Sequence, residues 1–305
     1  MKVLASLICH GHEPFLKYVL ENLYGLVDGI IVTEGVIKEY WDEPETSYTR
    51  DIIDELDKDK KILYTYKGKV NDREDMTEYN LKVALEIGKE GDWQIAMGAD
   101  EAWFPGAIEF LRGLPMDIVW VGFPLDNFVG DFRHILSERF PELSDPKIAK
   151  FCDAEGRTMV NGLYHERAFR IGKGFSYFDN HTALRDSAGR YVYADGHYSS
   201  RRLYVPLLEG LLRWVHYGYV CHKDWAWHRR LYFYYRWDEQ GLPLEQAKEV
   251  CAREDGYWVY LSTGLTEKFG DRFFVKEVLA YPHPYPFDKH PWLNKSREEI
   301  FSGHP

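Results

Sequence analysis

Two adjacent carboxylates, Asp100 and Glu101, close a short apolar run, Trp93-Gln94-Ile95-Ala96-Met97-Gly98-Ala99, and precede the aromatic pair Trp103-Phe104. Acids at the mouth of a buried strand are candidates for substrate or cation work, because open α/β sheets bind ligands outside the carboxyl ends of their strands. A hard divalent cation such as Mn or Mg takes oxygen ligands, commonly one or two carboxylates plus substrate phosphates. One Asp here, joined by a ligand from elsewhere in the chain, would suffice to clamp a diphosphate. His216, inside Trp214-Val215-His216-Tyr217-Gly218-Tyr219, is the natural second ligand, although a lone His in an apolar run also serves as a core residue. His181, in Asp179-Asn180-His181-Thr182, is a candidate of the same kind. His10-Gly11-His12 offers a different chemistry, since two neutral imidazoles leaving a first strand could share a zinc ion in a hydrolase. The plainer reading of that stretch is a polar loop whose Glu13 favours the positive end of the next helix.

The elements that must position these residues follow from hydrophobic period. Val3 to Cys9 reads as a strand, and Glu13 to Tyr24 as a helix with Pro14 in its first turn and Phe15, Val19 and Leu23 on one stripe. Gly29 to Thr33 predicts a second strand that ends at Glu34-Gly35, Tyr48 to Leu56 a helix, and Ile62 to Tyr66 a third strand. A longer helix from Asp72 to Gly88 places Asn80, Val83, Ala84 and Ile87 on one face, and the Trp93 strand follows it. A short helix from Ala107 to Leu111 and a strand from Asp117 to Phe123 complete this part. Such alternation predicts an α/β fold with a mostly parallel central sheet flanked by helices. From Asp126 to Ser187 the chain is rich in Gly, Asp and aromatics, with short alternating pieces at Ala168 to Ile171 and Phe175 to Phe178. These predict antiparallel strands and loops appended to the parallel part. Leu211 to Val220 reads as a strand, Lys223 to Asp238 and Leu244 to Arg253 as helices, and the Pro- and His-rich stretch after Tyr281 as an extended tail. With no repeat and no linker in view, a single domain with a C-terminal helical extension is expected.

Composition narrows the function. The 305 residues carry a formal net charge of −11, which excludes a nucleic-acid backbone as main partner because no basic surplus displaces its counterions. Arg201-Arg202 and Arg229-Arg230 remain local exceptions that could meet a phosphate. Cys9, Cys152, Cys221 and Cys251 lack the short paired spacing of a zinc knuckle or disulfide framework, which suggests a reducing compartment. The opening residues do not read as a signal peptide, and no apolar window reaches spanning length, so no transmembrane segment is expected. Aromatic residues make up 16% of the chain, a share that suits sugar-holding sites and core packing alike. Dinucleotide, P-loop and nucleophile-elbow signatures are all missing.

Several stretches, in order, resemble a GT-A-fold glycosyltransferase of the family 2 style, with some likeness to family 17 around Glu34. They are His12-Glu13-Pro14-Phe15-Leu16, then Leu26 to Val32, then Asp72-Arg73 through Asn80-Leu81 and Ala84, then Trp93 to Glu101. His165 to Arg170, Gly174 to Tyr177, His181 and finally Trp214 to Val220 extend the likeness, which covers about residues 1 to 240. The resemblance implies a nucleotide-sugar-binding catalytic domain over 1–240, with 241–305 as helical extension and tail. It implies that Asp100 binds a divalent cation (Mn or Mg) and the donor diphosphate, with His216 as the late ligand. Glu34 and Asn80 would surround the nucleoside, with the backbone near Cys9-His10 beneath the base. The chain departs from the family pattern at Gly98, where the first Asp of D-x-D is usual. Glu101 is a substitute that points the other way on extended backbone, toward donor sugar or acceptor.

The reaction so implied is transfer of a sugar from a uridine or guanosine diphosphate sugar to a saccharide, lipid-linked or protein acceptor. Asp179, Asp186 and Asp126 are available as general base, and Glu101 joins Asp179 and Asp186 as a catalytic candidate. Trp103, Phe104, Trp120 and Phe123 could border the acceptor, with His181 also near substrate. The expected location is cytoplasmic, with peripheral membrane association as a variant. Gly98 also motivates a second reading, a GT-A-like domain that binds a saccharide or nucleotide without turnover.

Overall fold

The computed structural model describes residues 1–10, 13, 15–37, 48–70, 73–129, 132–139, 157–158, 165–172, 176–179, 183–185, 202–204, 212–220, 243, 245–246, 273–278 and 280–284. Fifteen strands and four helices run through these residues. In order they begin β1 (Val3–Cys9), α1 (Leu16–Tyr24), β2 (Gly29–Ile37), α2 (Thr49–Leu56), β3 (Ile62–Val70), α3 (Arg73–Ile87) and β4 (Trp93–Gly98). Next come β5 (Glu101–Trp103), α4 (Pro105–Gly113), β6 (Trp120–Phe123), β7 (Leu125–Val129), β8 (His134–Arg139) and β9 (Arg157–Thr158). The last are β10 (His165–Arg170), β11 (Ser176–Asp179), β12 (Ala183–Arg185), β13 (Arg202–Tyr204), β14 (Trp214–Tyr219) and β15 (Phe273–Glu277). They fall into two compact units, Met1–Leu125 with Leu163–Val215, and Asp126–Gly162 with His216–Pro305. The domain boundary expected at residue 240 lies outside the described residues.

The first unit is an α/β layer structure around a seven-stranded sheet of order β13-β6-β10-β4-β1-β2-β3. β3, β2, β1 and β4 are mutually parallel, and β13 is parallel to β6. β10 is the exception, antiparallel to both β4 and β6. The sheet is therefore mostly parallel, as the alternation of strands and helices predicted. At its centre all seven residues of β1 are buried, which is the pattern of a parallel strand covered on both faces. Trp93 is fully buried, and its indole Nε1 donates to the Leu111 carbonyl at 2.7 Å, tying β4 to α4. Arg170, also fully buried, donates to the carbonyls of Ile118, Gly91, Leu114 and Pro115 and lies over the Trp93 ring at 4.1 Å. Burial pushes its guanidinium below the ordinary Arg range, against the opposing charges of Asp92 and Asp117.

Several expectations change at their edges. β2 and β3 run on together to Ile37 and Val70, past the predicted ends, across a register shift between Glu34 and Val36. Gly35 sits in that shift, where a Cβ would lie 2.8 Å from Met76 Sδ and 3.0 Å from Val70 Cγ1, so a side chain there would push Met76 on α3 and Val70 on β3 aside. α1 starts at Leu16 rather than Glu13. α4 begins at the helix-start signal Pro105, where the missing N–H costs nothing, and runs to Gly113, past Leu111. The run 168–171 is not an appendage: as β10 it is threaded into the central sheet between β4 and β6. β11 with β12, and β7, β8 and β9 in a second sheet, are antiparallel neighbours as expected for this stretch.

In the second unit β15, β8, β7 and β14 are hydrogen-bonded neighbours in that order, and β9 pairs with β8. An aromatic group of Phe128, Phe132, Tyr217, Tyr281 and His283 packs here at centroid distances of 4.9 to 5.8 Å. The Tyr217 hydroxyl donates to His283 Nδ1 at 2.7 Å, and His283 Nε2–H donates to the Phe132 carbonyl at 3.0 Å. The expected tail is therefore anchored at its start. The helices expected over 223–238 and 244–253 lie outside the described residues, apart from 245–246, which are helical.

Candidate active site

The chain builds β1, β2 and β3 outward on one side, then returns through α3 to place β4 on the other side of β1. The strand order reverses between β1 and β4, and a crevice outside the carboxyl ends forms at such a switch point. Ile8 pairs with Gly98 there, so Cys9-His10 leaves the sheet beside Ala99-Asp100. Cys9 pairs with Glu34 on the other flank. Four of the residues singled out from the sequence, His10, Glu34, Gly98 and Asp100, thus stand at one edge of one sheet.

Glu34 is 1% exposed. Its Oε1 accepts from Thr49 Oγ1 at 3.1 Å and its Oε2 from the Tyr64 hydroxyl. Burial, then the hydrogen bond and charge of Glu34, drive the Tyr64 phenol far above its ordinary range, so it remains a donor. Arg50 lies 5.4 Å above the Tyr64 ring. Asn80, expected near the nucleoside, joins strands instead: its Oδ1 accepts from Thr33 Oγ1 at 2.6 Å and its Nδ2 donates to the Leu7 carbonyl at 2.9 Å. Both ring nitrogens of His10 are engaged. Nε2 accepts from Arg73 Nε at 3.1 Å, which puts the proton on Nδ1, 3.3 Å from the Gly35 carbonyl. A zinc ion at His10 would have to displace Arg73 from that nitrogen, and His12 lies outside the described residues.

Asp100 is 5% exposed and its carboxylate lies back over Gly98, where an added Cβ would come 2.7 Å from Oδ1. Glu101 does not open toward solvent. Its Oε1 accepts from Arg167 Nη2 at 2.8 Å, with both side chains nearly buried, at 3% and 6% exposure. Arg167 stacks 4.9 Å over the Trp214 ring. It occupies the register shift between Glu166 and Ala168, and such a bulge re-aims a side chain out of strand alternation. Glu101, expected as a catalytic candidate, is thus a buried, ion-paired acid. Trp103, expected near substrate, is fully buried, stacked on Trp214 at 6.0 Å and edge-on to Phe123 at 5.1 Å. Asn22 pins its backbone from both sides, accepting from Trp103 N–H at 3.0 Å and donating to its carbonyl at 3.2 Å. Trp120, Phe123 and Phe104 are likewise core residues rather than an acceptor platform.

In the second unit His216 Nδ1–H donates to Asn127 Oδ1 at 2.8 Å. A ring oriented through one nitrogen in this way is how metal-binding histidines are held. Asp126, fully buried, accepts from the Tyr281 hydroxyl. Asp100 belongs to the first unit and His216 to the second. Among the described residues, no three His, Cys, Asp or Glu side chains gather as a metal cluster. Asp179 ends β11, paired with Ala183. His181 and Asp186 lie outside the described residues.

Sequence reasoning missed Arg167 and Tyr64. Arg167 stood inside the likeness stretch His165 to Arg170 with no role attached, and nothing in that charged run set it apart. Tyr64 carried none, because its partner Glu34 is 30 positions away.

No protein-family model matches the chain, and no curated protein matches it in sequence. Among solved structures it is similar to mannose-6-phosphate isomerase from Helicobacter pylori, at 13% identity over 56% of this chain and 72% of that one, with a TM-score of 0.35. It is also similar to the mannosyltransferase PcManGT from Pyrobaculum calidifontis, in complex with GDP-Man and Mn2+, at 13% identity over 82% and 68%, with a TM-score of 0.36. Galactosyltransferase LgtC, in complex with donor and acceptor sugar analogs, matches at 12% identity over 83% and 96%, with a TM-score of 0.36. Likenesses this partial carry no residue roles across. Among the described residues no helix is long and apolar enough to cross a membrane.

Proposed function

We propose that this chain is a glycosyltransferase that moves a sugar from a nucleoside-diphosphate sugar, of uridine or guanosine, to a saccharide, lipid-linked or protein acceptor. The observation that supports this reading most is the position of Asp100 at the switch point between β1 and β4, where open α/β sheets bind nucleotides. The ordered motif likeness from His12 to Val220 points the same way.

The Asp100 carboxylate is a hard oxygen donor of the kind that Mn or Mg takes, and it would hold the cation in the first unit. His216 is the ligand candidate of the second unit. A bound cation supplies neutralising charge at the departing diphosphate. Glu34, held by Thr49 and Tyr64, lies beside Cys9 and would face the nucleoside. Asp179 and Asp186 remain the candidates to take the acceptor hydroxyl's proton. Glu101 is left out of that role by Arg167.

Titration calorimetry of nucleoside diphosphates with Mn tests the reading. Binding of one member is expected, weakened at least about tenfold in Asp100→Asn. A folded protein that binds none of them would overturn it. Release of nucleoside diphosphate from the intact donor separates an enzyme from a domain that only binds.

A further inference from the structure

We infer that Gly98 is a positioning residue for Asp100, and that an acid restored at position 98 would weaken cation binding rather than strengthen it. This rests on the proposed role of Asp100 as the cation's carboxylate. The space a side chain at 98 would fill is already occupied. A Cβ built there would stand 2.7 Å from Asp100 Oδ1, 3.5 Å from Glu101 Oε1 and 3.7 Å from Glu101 Cδ.

The two acids differ in their freedom to yield. Glu101 is anchored by its 2.8 Å bond to Arg167, itself stacked on Trp214 and set by the bulge in β10. Its contact with the added Cβ would be ordinary van der Waals contact, so nothing forces it aside. Asp100 must move. Its carboxylate is the end of a side chain with two torsions, and rotating it is cheaper than shifting buried backbone. Any side chain at 98 therefore re-aims Asp100 while the strand stays in place, pinned by the Ile8 and Gly98 pairing. In this chain the glycine and Asp100 form one device: the first removes a side chain so that the second can fold back over the strand end.

The experiment compares wild type, Gly98→Ala and Gly98→Asp by the Mn concentration that half-saturates nucleoside-diphosphate binding in calorimetry, with free Mn followed by electron paramagnetic resonance. Thermal unfolding of each variant serves as the folding control. We expect both variants to need at least about tenfold more Mn, with unfolding midpoints close to wild type for Gly98→Ala. An unchanged Mn requirement in folded Gly98→Ala overturns the inference, and so does tighter Mn binding by Gly98→Asp. If Gly98→Asp does not fold, Gly98→Ala decides alone. Absence of Mn-dependent binding in the wild type sinks the functional reading and this inference with it, whereas wild-type binding with an unaffected Gly98→Ala sinks the inference only.

Discussion

Arg167 and Glu101 meet at 2.8 Å in a place where neither has much water. Breaking such a pair from one side leaves a buried charge uncompensated, which costs about 3–5 kcal/mol, while replacing both by apolar groups of similar volume is often near neutral. We therefore expect Arg167→Met to lower stability by about 3–5 kcal/mol in urea unfolding, and Arg167→Met with Glu101→Leu to recover most of it. A single variant no worse than the double would show that the pair is not coupled. Asp100 and Glu101 are neighbours in sequence with opposite fates, one the acid of the proposed site and the other a strut. That division was not legible from the sequence, because it depends on a cation supplied 66 positions away. Gly98 was legible as a departure from D-x-D, but its purpose appears only once the Asp100 carboxylate is seen over it.

At the scale of elements, Asp28 joins the start of β1 to α4. Its Oδ2 accepts from Val3 N–H at 2.8 Å and from Arg112 Nη2 at 2.9 Å. Burial alone would raise this carboxyl, but the Val3 N–H and the Arg112 guanidinium outweigh it and hold the carboxyl below its ordinary value. A depressed folded-state value means the stability it contributes is present above the unfolded carboxylate value and is lost as pH falls through the folded one. Asp28→Asn is expected to be less stable than wild type near neutral pH, with the gap closing as pH falls through the depressed folded-state value, as read from urea midpoints. A gap that persists in acid would assign the effect to lost geometry instead of lost charge. The parallel strands and their helices were legible because each writes its own period: β1 is buried at every position, and α1 buries Leu16, Val19, Leu20 and Leu23 on one stripe. β5 was not, and of β10 only its antiparallel strand character was. β5 is three residues fixed by Asn22 on α1, and β10 takes its place from ladders to β4 and β6, neither of which leaves a mark on local period.

At the scale of the molecule, the chain forms two compact units that share it in alternating pieces. The second unit's aromatic group draws 281–284 against β14 through the relay from Tyr217 to His283 to the Phe132 carbonyl. His283→Ala removes both bonds and leaves the Tyr217 hydroxyl short of its acceptor, a loss of about 1–3 kcal/mol. Amide hydrogen exchange at positions 281 and 283 is expected to be faster in that variant. An unchanged exchange rate would mean that the ring contacts alone secure the segment.

The threading of β10 also sets a timetable on the ribosome. β4 is complete at Gly98, but its outer partner ends only at Arg170. At synthesis rates of about 5–20 residues per second, that edge waits on the order of several seconds with its backbone groups unpaired. During that interval the nascent chain already carries β1 to β4 and their helices, and it presents an apolar strand edge of the kind that chaperones cover.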